Sequence, residues 1–194
     1  MSDLPVKAGA ASAPGDLARL AATDMLEGYR SGLFDPVDVI EDTIDVLKRV
    51  DAACNIVVTD LYDSARKAAE ASVRAYRDGS AGALEGVPVS IKDLIFVSGV
   101  PAKGGAPSLA DFVPASDGFA VERLKAAGAI PTCKTTTCES GYKLTADSPV
   151  SGITRNPWNP ARTSGGSSGG AAAGVAAGAG PIAIGTDGVG SIRV

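Results

Sequence analysis

The sequence predicts an α/β fold in which helices alternate with short strands. Amphipathic segments with apolar residues at helical spacing are separated by short apolar or β-branched segments, and this alternation is typical of helices packed on a sheet. The chain has 194 residues, 45% of them apolar, so it is long enough for one domain with a substantial core.

Two amphipathic helices are predicted near the start of the chain. Residues 1–15 are small and polar, and we expect them to form a flexible N-terminus rather than a secretory signal. From residue 16 to residue 30 apolar residues recur at helical spacing, and Gly32 marks the end of this helix. Asp35-Pro36 then opens a second helix, which continues to about Val50.

Two strands and a third helix follow. Residues 55–59 are short and β-branched, which predicts a strand. Residues 61–77 predict an amphipathic helix that Asp78-Gly79 closes. Residues 86–94 read Gly-Val-Pro-Val-Ser-Ile-Lys-Asp-Leu and predict a second strand, with Lys92 near its end.

The second half of the chain shows less regular patterning. Residues 116–127 predict a helix with Gly128 as its C-terminal cap, and residues 129–134 predict a strand. Residues 135–168 lack clear periodicity and are rich in threonine, serine, proline and asparagine, so we expect a long ordered connection. Residues 169–179 predict a helix of small residues, and residues 181–185 predict a buried strand.

Composition argues against several classes of function. The net charge of −4 gives no sign of the basic face that nucleic-acid binding needs. The longest uncharged apolar stretch, residues 171–184, is too short and too rich in glycine and alanine to span a membrane. Cys54, Cys133 and Cys138 are not spaced as pairs, which indicates reduced thiols in a cytoplasmic protein. Without histidine or a cysteine pair, we expect no metal site and no cofactor.

Residues 165–190 contain ten glycines and two separated serine sites, and three interpretations of this segment are open. The first is a small-residue helix between turns, which allows close packing. The second is a phosphate site, but the Gly-x-x-x-x-Gly-Lys-Ser/Thr pattern is absent and the context of a dinucleotide-binding turn is missing. The third is an oxyanion site, in which the N–H groups of Gly188, Val189, Gly190 and Ser191 converge on one oxygen and Thr186 binds the Ser191 hydroxyl.

A serine nucleophile in this chain needs a base other than histidine, because the sequence contains no histidine. Lysine is the best remaining candidate, and Lys92 lies near the end of an apolar strand. It can act as a base only when it is neutral, which requires burial that lowers its pKa from about 10.4 towards 7. Taken alone, Lys92 is more readily interpreted as a surface lysine at a strand end.

Four motifs, in order along the chain, resemble the amidase signature family. They are Gly-Val-Pro-Val-Ser-Ile-Lys-Asp from Gly86, Asn-Pro-Trp-Asn-Pro from Asn156, Gly-Gly-Ser-Ser-Gly-Gly from Gly165, and Gly-Thr-Asp-x-x-Gly-Ser-Ile-Arg from Gly185. The resemblance covers about residues 84–194 and implies a mixed central sheet flanked by helices. It also implies amide hydrolysis by a triad of Ser191 as nucleophile, Ser167 as bridging serine and Lys92 as base, with a cis peptide bond before Ser167.

Residues next to this triad are expected to support it. Asp187 and Arg193 should form a buried ion pair or a loop clamp, and Ser168 should serve the turn or cap the following helix. Val189 stands where the family usually has glycine. If that position needs a positive φ, the β-branched side chain is strained there, and we expect a modest loss of rate.

The resemblance leaves more than one function open. An amide hydrolase would acylate Ser191 with a small-molecule amide, release ammonia or an amine, and hydrolyse the acyl-enzyme. A glutaminase-type subunit of a tRNA-dependent amidotransferase would instead deliver ammonia to a partner chain, and a homodimer is a further alternative. Family members are much longer, so residues 16–194 are expected to be the truncated N-terminal part of a single domain. Such a part would be inactive alone, or a non-catalytic fragment that needs a partner chain.

Overall fold

The computed structural model describes residues 16–194, and the flexible N-terminus predicted for residues 1–15 lies outside this range. The helices are α1 (Ala22–Ser31), α2 (Pro36–Cys54), α3 (Tyr62–Asp78), α4 (Phe119–Ala126) and α5 (Gly169–Ala176). The strands are β1 (Val57–Asp60), β2 (Pro88–Lys92), β3 (Ile130–Thr135), β4 (Asp147–Ser148), β5 (Gly152–Ile153), β6 (Arg155–Asn156), β7 (Asn159–Thr163) and β8 (Ile182–Ile184). Within the described range, no helix combines the length and apolar character needed to cross a membrane.

Four strands form a mixed sheet in the order β1-β3-β2-β8. β2 runs parallel to both of its neighbours, with Ile91 opposite Lys134 of β3 and Ile184 of β8, whereas β1 is antiparallel to β3. The mixed α/β architecture implied by the resemblance is thus confirmed. The sequence predicts a buried last strand, but β8 is only half-buried, because it lies at the edge of the sheet in the described part of the chain.

The start of the chain differs from the predicted single helix over residues 16–30. A 3₁₀ turn covers Leu17–Arg19, Leu20 is extended with ψ of 148°, and α1 begins only at Ala22. The next helix begins as predicted: the Asp35 carboxylate accepts the N–H groups of Val37 and Asp38, which lack partners within the helix. α2 then extends beyond the predicted end, to Cys54, where the left-handed Asn55 stops it.

The core fixes the direction in which Lys92 projects. Val89 and Ile91 of β2 pack in one apolar cluster with Val121 of α4. Because side chains alternate along a strand, Lys92 leaves β2 on the face opposite to Val89 and Ile91. Its side chain therefore points away from α4 and towards the start of α5, where Ser167 lies.

The segment 135–168 is ordered, as predicted, but it contains more regular structure than its composition indicates. A 3₁₀ turn covers Glu139–Gly141, β4 pairs with β5, and β6 pairs with β7. Strands of two to five residues are too short for the alternation of apolar and polar residues to reveal them.

Candidate active site

The Lys92 side chain is fully buried and binds three hydroxyl groups. Its Nζ donates to Ser167 Oγ at 2.7 Å, to Ser168 Oγ at 2.9 Å and to Thr186 Oγ1 at 2.8 Å. An ammonium has three N–H donors, so each of them has an acceptor. The interpretation of Lys92 as a surface residue is therefore wrong, and the structure brings it together with Ser167.

The environment of Lys92 favours its neutral form more than water does. Burial lowers the pKa of Lys92 from 10.5 to about 8, although the electrostatic effects of Cys138 and Asp187 oppose that change. Between pH 7 and pH 8 the unprotonated fraction of such an amine rises from about a tenth to about a half, and this fraction can accept a proton. The lysine is thus suited to acid–base chemistry near neutral pH.

Ser167 and Ser168 lie directly before α5, and the peptide bond between Gly166 and Ser167 is cis, as the resemblance implies. Ser168 occupies the position before the helix, but its side chain makes no capping hydrogen bond, contrary to one prediction. Its hydroxyl donates to the Thr186 carbonyl at 3.1 Å and accepts the Thr186 N–H at 3.2 Å. Ser168 therefore ties the start of α5 to the chain after β8, beside Lys92.

Thr186 differs from its predicted position in the hydrogen-bond network. The sequence predicts that it binds the Ser191 hydroxyl, but its Oγ1 accepts a hydrogen bond from Lys92 instead. Ser191 itself is buried, with 5% of its surface exposed, and its carbonyl accepts the Ser168 N–H at 3.0 Å. Its hydroxyl makes no hydrogen bond with any group in residues 16–194.

A carboxylate clamp shapes the turn before Ser191. The two oxygens of Asp187 accept the Gly190 N–H at 2.6 Å and the Ile192 N–H at 3.3 Å, and they also bind the Arg193 guanidinium at 2.8 and 3.0 Å. Arg193, followed by the two N–H groups, holds the pKa of Asp187 well below its usual range. The Arg193 side chain is 74% exposed, so the pair is a loop clamp rather than a buried ion pair.

The clamp changes the set of N–H groups available for an oxyanion. The Gly190 N–H is bound to Asp187, whereas those of Gly188, Val189 and Ser191 have no acceptor within the described residues. Gly190 has φ of +118°, but Val189 is not among the described residues with positive φ. The backbone strain that predicted a rate loss at Val189 is therefore absent.

Two features near Lys92 were not anticipated from the sequence. Gly141 lies against the site, because a Cβ placed on it would be 3.3 Å from Ser167 Oγ. Asp93 and Lys134 form a fully buried ion pair next to Lys92 in the sheet. A lysine within a short strand that also carries Ile130 and Cys133 was a usable signal for Lys134, because a buried lysine requires a partner. Among residues 16–194, no three histidine, cysteine, aspartate or glutamate side chains are placed to hold a metal ion.

Comparison with known proteins points to one family. A family model described as Amidase matches residues 38–194. The chain is 40% identical, over 92% of its length, to indoleacetamide hydrolase of Bradyrhizobium diazoefficiens, and 36% identical, over 91%, to a glutamyl-tRNA(Gln) amidotransferase subunit of Alkaliphilus metalliredigens. It spans 34% and 36% of these two relatives.

A solved structure gives the same result for the fold. The crystal structure of a bacterial aryl acylamidase of the amidase signature enzymes superposes with a TM-score of 0.86 at 37% identity. The superposition covers 90% of this chain and 37% of that one. The superposed residues thus correspond to about a third of that acylamidase.

Proposed function

Because this chain belongs to the amidase signature family, we propose that it carries the catalytic centre of an amide hydrolase. Ser191 is the nucleophile, Ser167 the proton relay and Lys92 the base. The observation that carries the proposal is the fully buried Lys92 amine, which lies 2.7 Å from Ser167 Oγ and has a pKa lowered to about 8. A lysine in this state supplies the base that a chain without histidine requires.

The path of the proton follows from which hydroxyl groups already donate a hydrogen bond. The Ser168 proton is donated to the Thr186 carbonyl, so Ser168 can only accept from Lys92. The Ser167 hydroxyl has no acceptor other than the lysine among the described residues, so its proton is free to pass to neutral Lys92. Ser167 then takes the proton of Ser191, after a rotation that brings the unbound Ser191 hydroxyl towards it.

The chemical steps use the same groups twice. Ser191 Oγ attacks the amide carbonyl carbon, and the oxygen that gains negative charge is stabilised by the N–H groups of Gly188, Val189 and Ser191. Collapse of this intermediate breaks the C–N bond, and the amine leaves with a proton returned from Lys92 through Ser167. Water then attacks the acyl ester, and its proton passes to Lys92 by the same route. When the ester C–O bond breaks, Lys92 returns that proton to Ser191 Oγ through Ser167, and the carboxylic acid departs.

The test uses the natural protein that carries this chain, assayed for release of ammonia or aniline from simple primary and aryl amides. We expect Ser191→Ala to abolish turnover while substrate binding stays measurable, and a trapped acyl group to add its mass to the Ser191 peptide of the wild type. Ser64→Ala on α3, an exposed serine that binds the Leu61 carbonyl, is the matched control and should retain activity. Turnover by Ser191→Ala would refute the assignment.

Residues 1–194 alone are expected to lack turnover. The edge strand β8 is half-buried, and large apolar side chains such as Val189, Ile192 and Trp158 are more than half exposed. In the relatives, about two thirds of the length lies outside the region that this chain matches. A hydrolytically active, monomeric 194-residue protein would contradict this expectation.

A second candidate function is that of an ammonia-delivering subunit, favoured by the 36% identity to one subunit of a glutamyl-tRNA(Gln) amidotransferase. In that case the substrate amide is glutamine, and ammonia passes to a partner chain. Glutamine-dependent ammonia release, together with co-purification of a second chain, would favour this function. Hydrolysis of aryl amides by a protein that purifies alone or as a homodimer would favour the first.

A further inference from the structure

Asp93 and Lys134 form an ion pair in the interior of the protein. Both side chains are fully buried, and Lys134 Nζ lies 2.9 Å from Asp93 Oδ1. Asp93 directly follows Lys92, and Lys134 lies on β3 opposite Ile91. Burial raises the pKa of the Asp93 carboxyl, whereas Lys134 and the Gly104 N–H oppose that rise. Neither residue touches the hydroxyl network of Lys92 directly.

The ion pair holds a neighbouring loop. The second oxygen of Asp93 accepts the Gly104 N–H at 3.0 Å, and Lys134 Nζ lies 3.5 Å from the Pro101 carbonyl oxygen. Both oxygens of the carboxylate are therefore occupied, one by Lys134 and one by the loop. Residues 101–105 are attached to the sheet at these two points.

The loop in turn holds the segment 138–141, here called the wall turn. The Gly104 carbonyl accepts the Ser140 N–H at 2.8 Å. Gly105 packs directly on the wall turn, because a Cβ placed on it would be 2.7 Å from the Cys138 carbonyl carbon. Gly141 lies at the other side of the wall turn, where a Cβ would be 3.3 Å from Ser167 Oγ. A continuous set of contacts thus leads from the ion pair to the Ser167 hydroxyl.

We propose that Asp93 and Lys134 are positioning residues of the catalytic centre, whose ion pair holds the wall turn over Ser167 and so keeps water away from Lys92. The inference rests on the function proposed above, because it takes the reactivity of Ser191 as a nucleophile as its readout. A displaced wall turn admits water to the amine, and hydration favours the ammonium form. The charged and titratable groups that face Lys92 are Asp187, after β8, and Cys138, in the wall turn.

Two changes disturb the contacts between the ion pair and the wall turn without altering the net charge near Lys92. Gly105→Ala pushes the wall turn outwards, because the added Cβ cannot fit at 2.7 Å from the Cys138 backbone, and it changes no charge. The double variant Asp93→Asn with Lys134→Met removes both charges together, so their direct electrostatic effects on Lys92 oppose each other. Single charge changes would confound hydration with electrostatics.

The readout is the rate constant for modification of Ser191 by a fluorophosphonate, measured from pH 6 to pH 10 in the natural protein. In the wild type the midpoint of this profile should follow Lys92, at about 8. Both variants should raise the midpoint by about one pH unit, which makes labelling about tenfold slower at pH 7. Lys125→Met, which removes the ion pair with Asp117 at α4, should leave the midpoint unchanged.

Far-ultraviolet circular dichroism shows whether each variant is folded. A folded variant with the labelling midpoint of the wild type would overturn the inference. A shift in only one of two folded variants would overturn it as well. If one variant does not fold, the other decides. Hydrogen exchange at the Ser140 amide gives a second readout, because that N–H donates to the Gly104 carbonyl. Exchange should accelerate in the double variant. Unchanged protection would refute the connection between the ion pair and the wall turn. A wild type that is not labelled at Ser191 would refute the proposed function, while the exchange result still tests the positioning role.

Discussion

Replacing Thr186 with valine should lower the pKa of Lys92 and shift its catalytic profile to lower pH. Valine matches the shape of threonine but removes Oγ1, one of the three oxygens that accept a hydrogen bond from Lys92. These oxygens stabilise the ammonium more than the neutral amine, because a charged donor forms the stronger hydrogen bond. Losing one acceptor therefore favours the neutral base.

The size of the shift follows from the energy of one such bond. A hydrogen bond to a charged group contributes about 1.5–3 kcal/mol, and one pKa unit corresponds to about 1.4 kcal/mol. Because Thr186 is only partly buried, water can replace part of the lost bond, and we take the lower end of this range. The pKa should fall by about one unit from its wild-type value of about 8, which raises the neutral fraction at pH 7 from about 9% to about 50%.

The assay is the pH profile of fluorophosphonate labelling at Ser191, recorded for the wild type, Thr186→Val and Thr186→Ser. Serine keeps the hydroxyl, so this control should keep the wild-type midpoint. A Thr186→Val midpoint at or above that of the wild type, in a protein that retains its fold, would refute the view that Thr186 stabilises the ammonium.

Four further predictions concern the same region. In urea titrations, the free energy of unfolding of the wild type relative to Lys92→Met should rise by about 3 kcal/mol between pH 8 and pH 10.5. In this interval the unfolded state still binds the Lys92 proton, whereas the folded state has released it. A constant difference would contradict the lowered pKa of Lys92. Arg193→Met should leave the urea midpoint of unfolding close to that of the wild type, since its guanidinium is mostly exposed and water screens its charge. Asp187→Ala, which frees the Gly190 and Ile192 N–H groups, should lower kcat/KM by about tenfold or more, and activity equal to that of the wild type would argue against the clamp. Val189→Gly should leave kcat/KM within about twofold, because Val189 has no positive φ and is 82% exposed; a larger gain would show that its side chain obstructs the site.

Periodicity predicted the elements whose signals are local. The helices α2 and α3 and the strands β2 and β3 all lie within a few residues of their predicted bounds, because amphipathic spacing and capping residues act over one or two turns. The break at Leu20 was missed, since the apolar spacing continues across it and only the backbone conformation changes. The hairpins within residues 135–168 were missed because their strands are too short for a periodic signal.

One contact of the candidate site was predictable from the sequence, but the surrounding network was not. The motifs placed Lys92 and Ser167 together, and the structure shows their contact. The partners of Ser168 could not be read from its surroundings in the sequence, because Thr186 lies 18 residues further along the chain. The hydrogen bond from the Gly190 N–H to Asp187 could have been predicted from the sequence, because aspartate side chains in turns commonly accept N–H groups two or three residues ahead.

Two carboxylates explain how the lysine can be a base: Asp93, which follows Lys92 in the chain, and Asp187, whose charge acts on it. A free carboxylate near an amine stabilises the ammonium and raises its pKa. Asp93, the next residue in the sequence, is paired with Lys134, and Asp187, whose charge acts on Lys92, is paired with Arg193. Each carboxylate thus has its own cation, and Lys92 is left with neutral hydroxyl partners. Burial can then lower its pKa to about 8, whereas removing either cation while leaving its carboxylate in place would raise that pKa again.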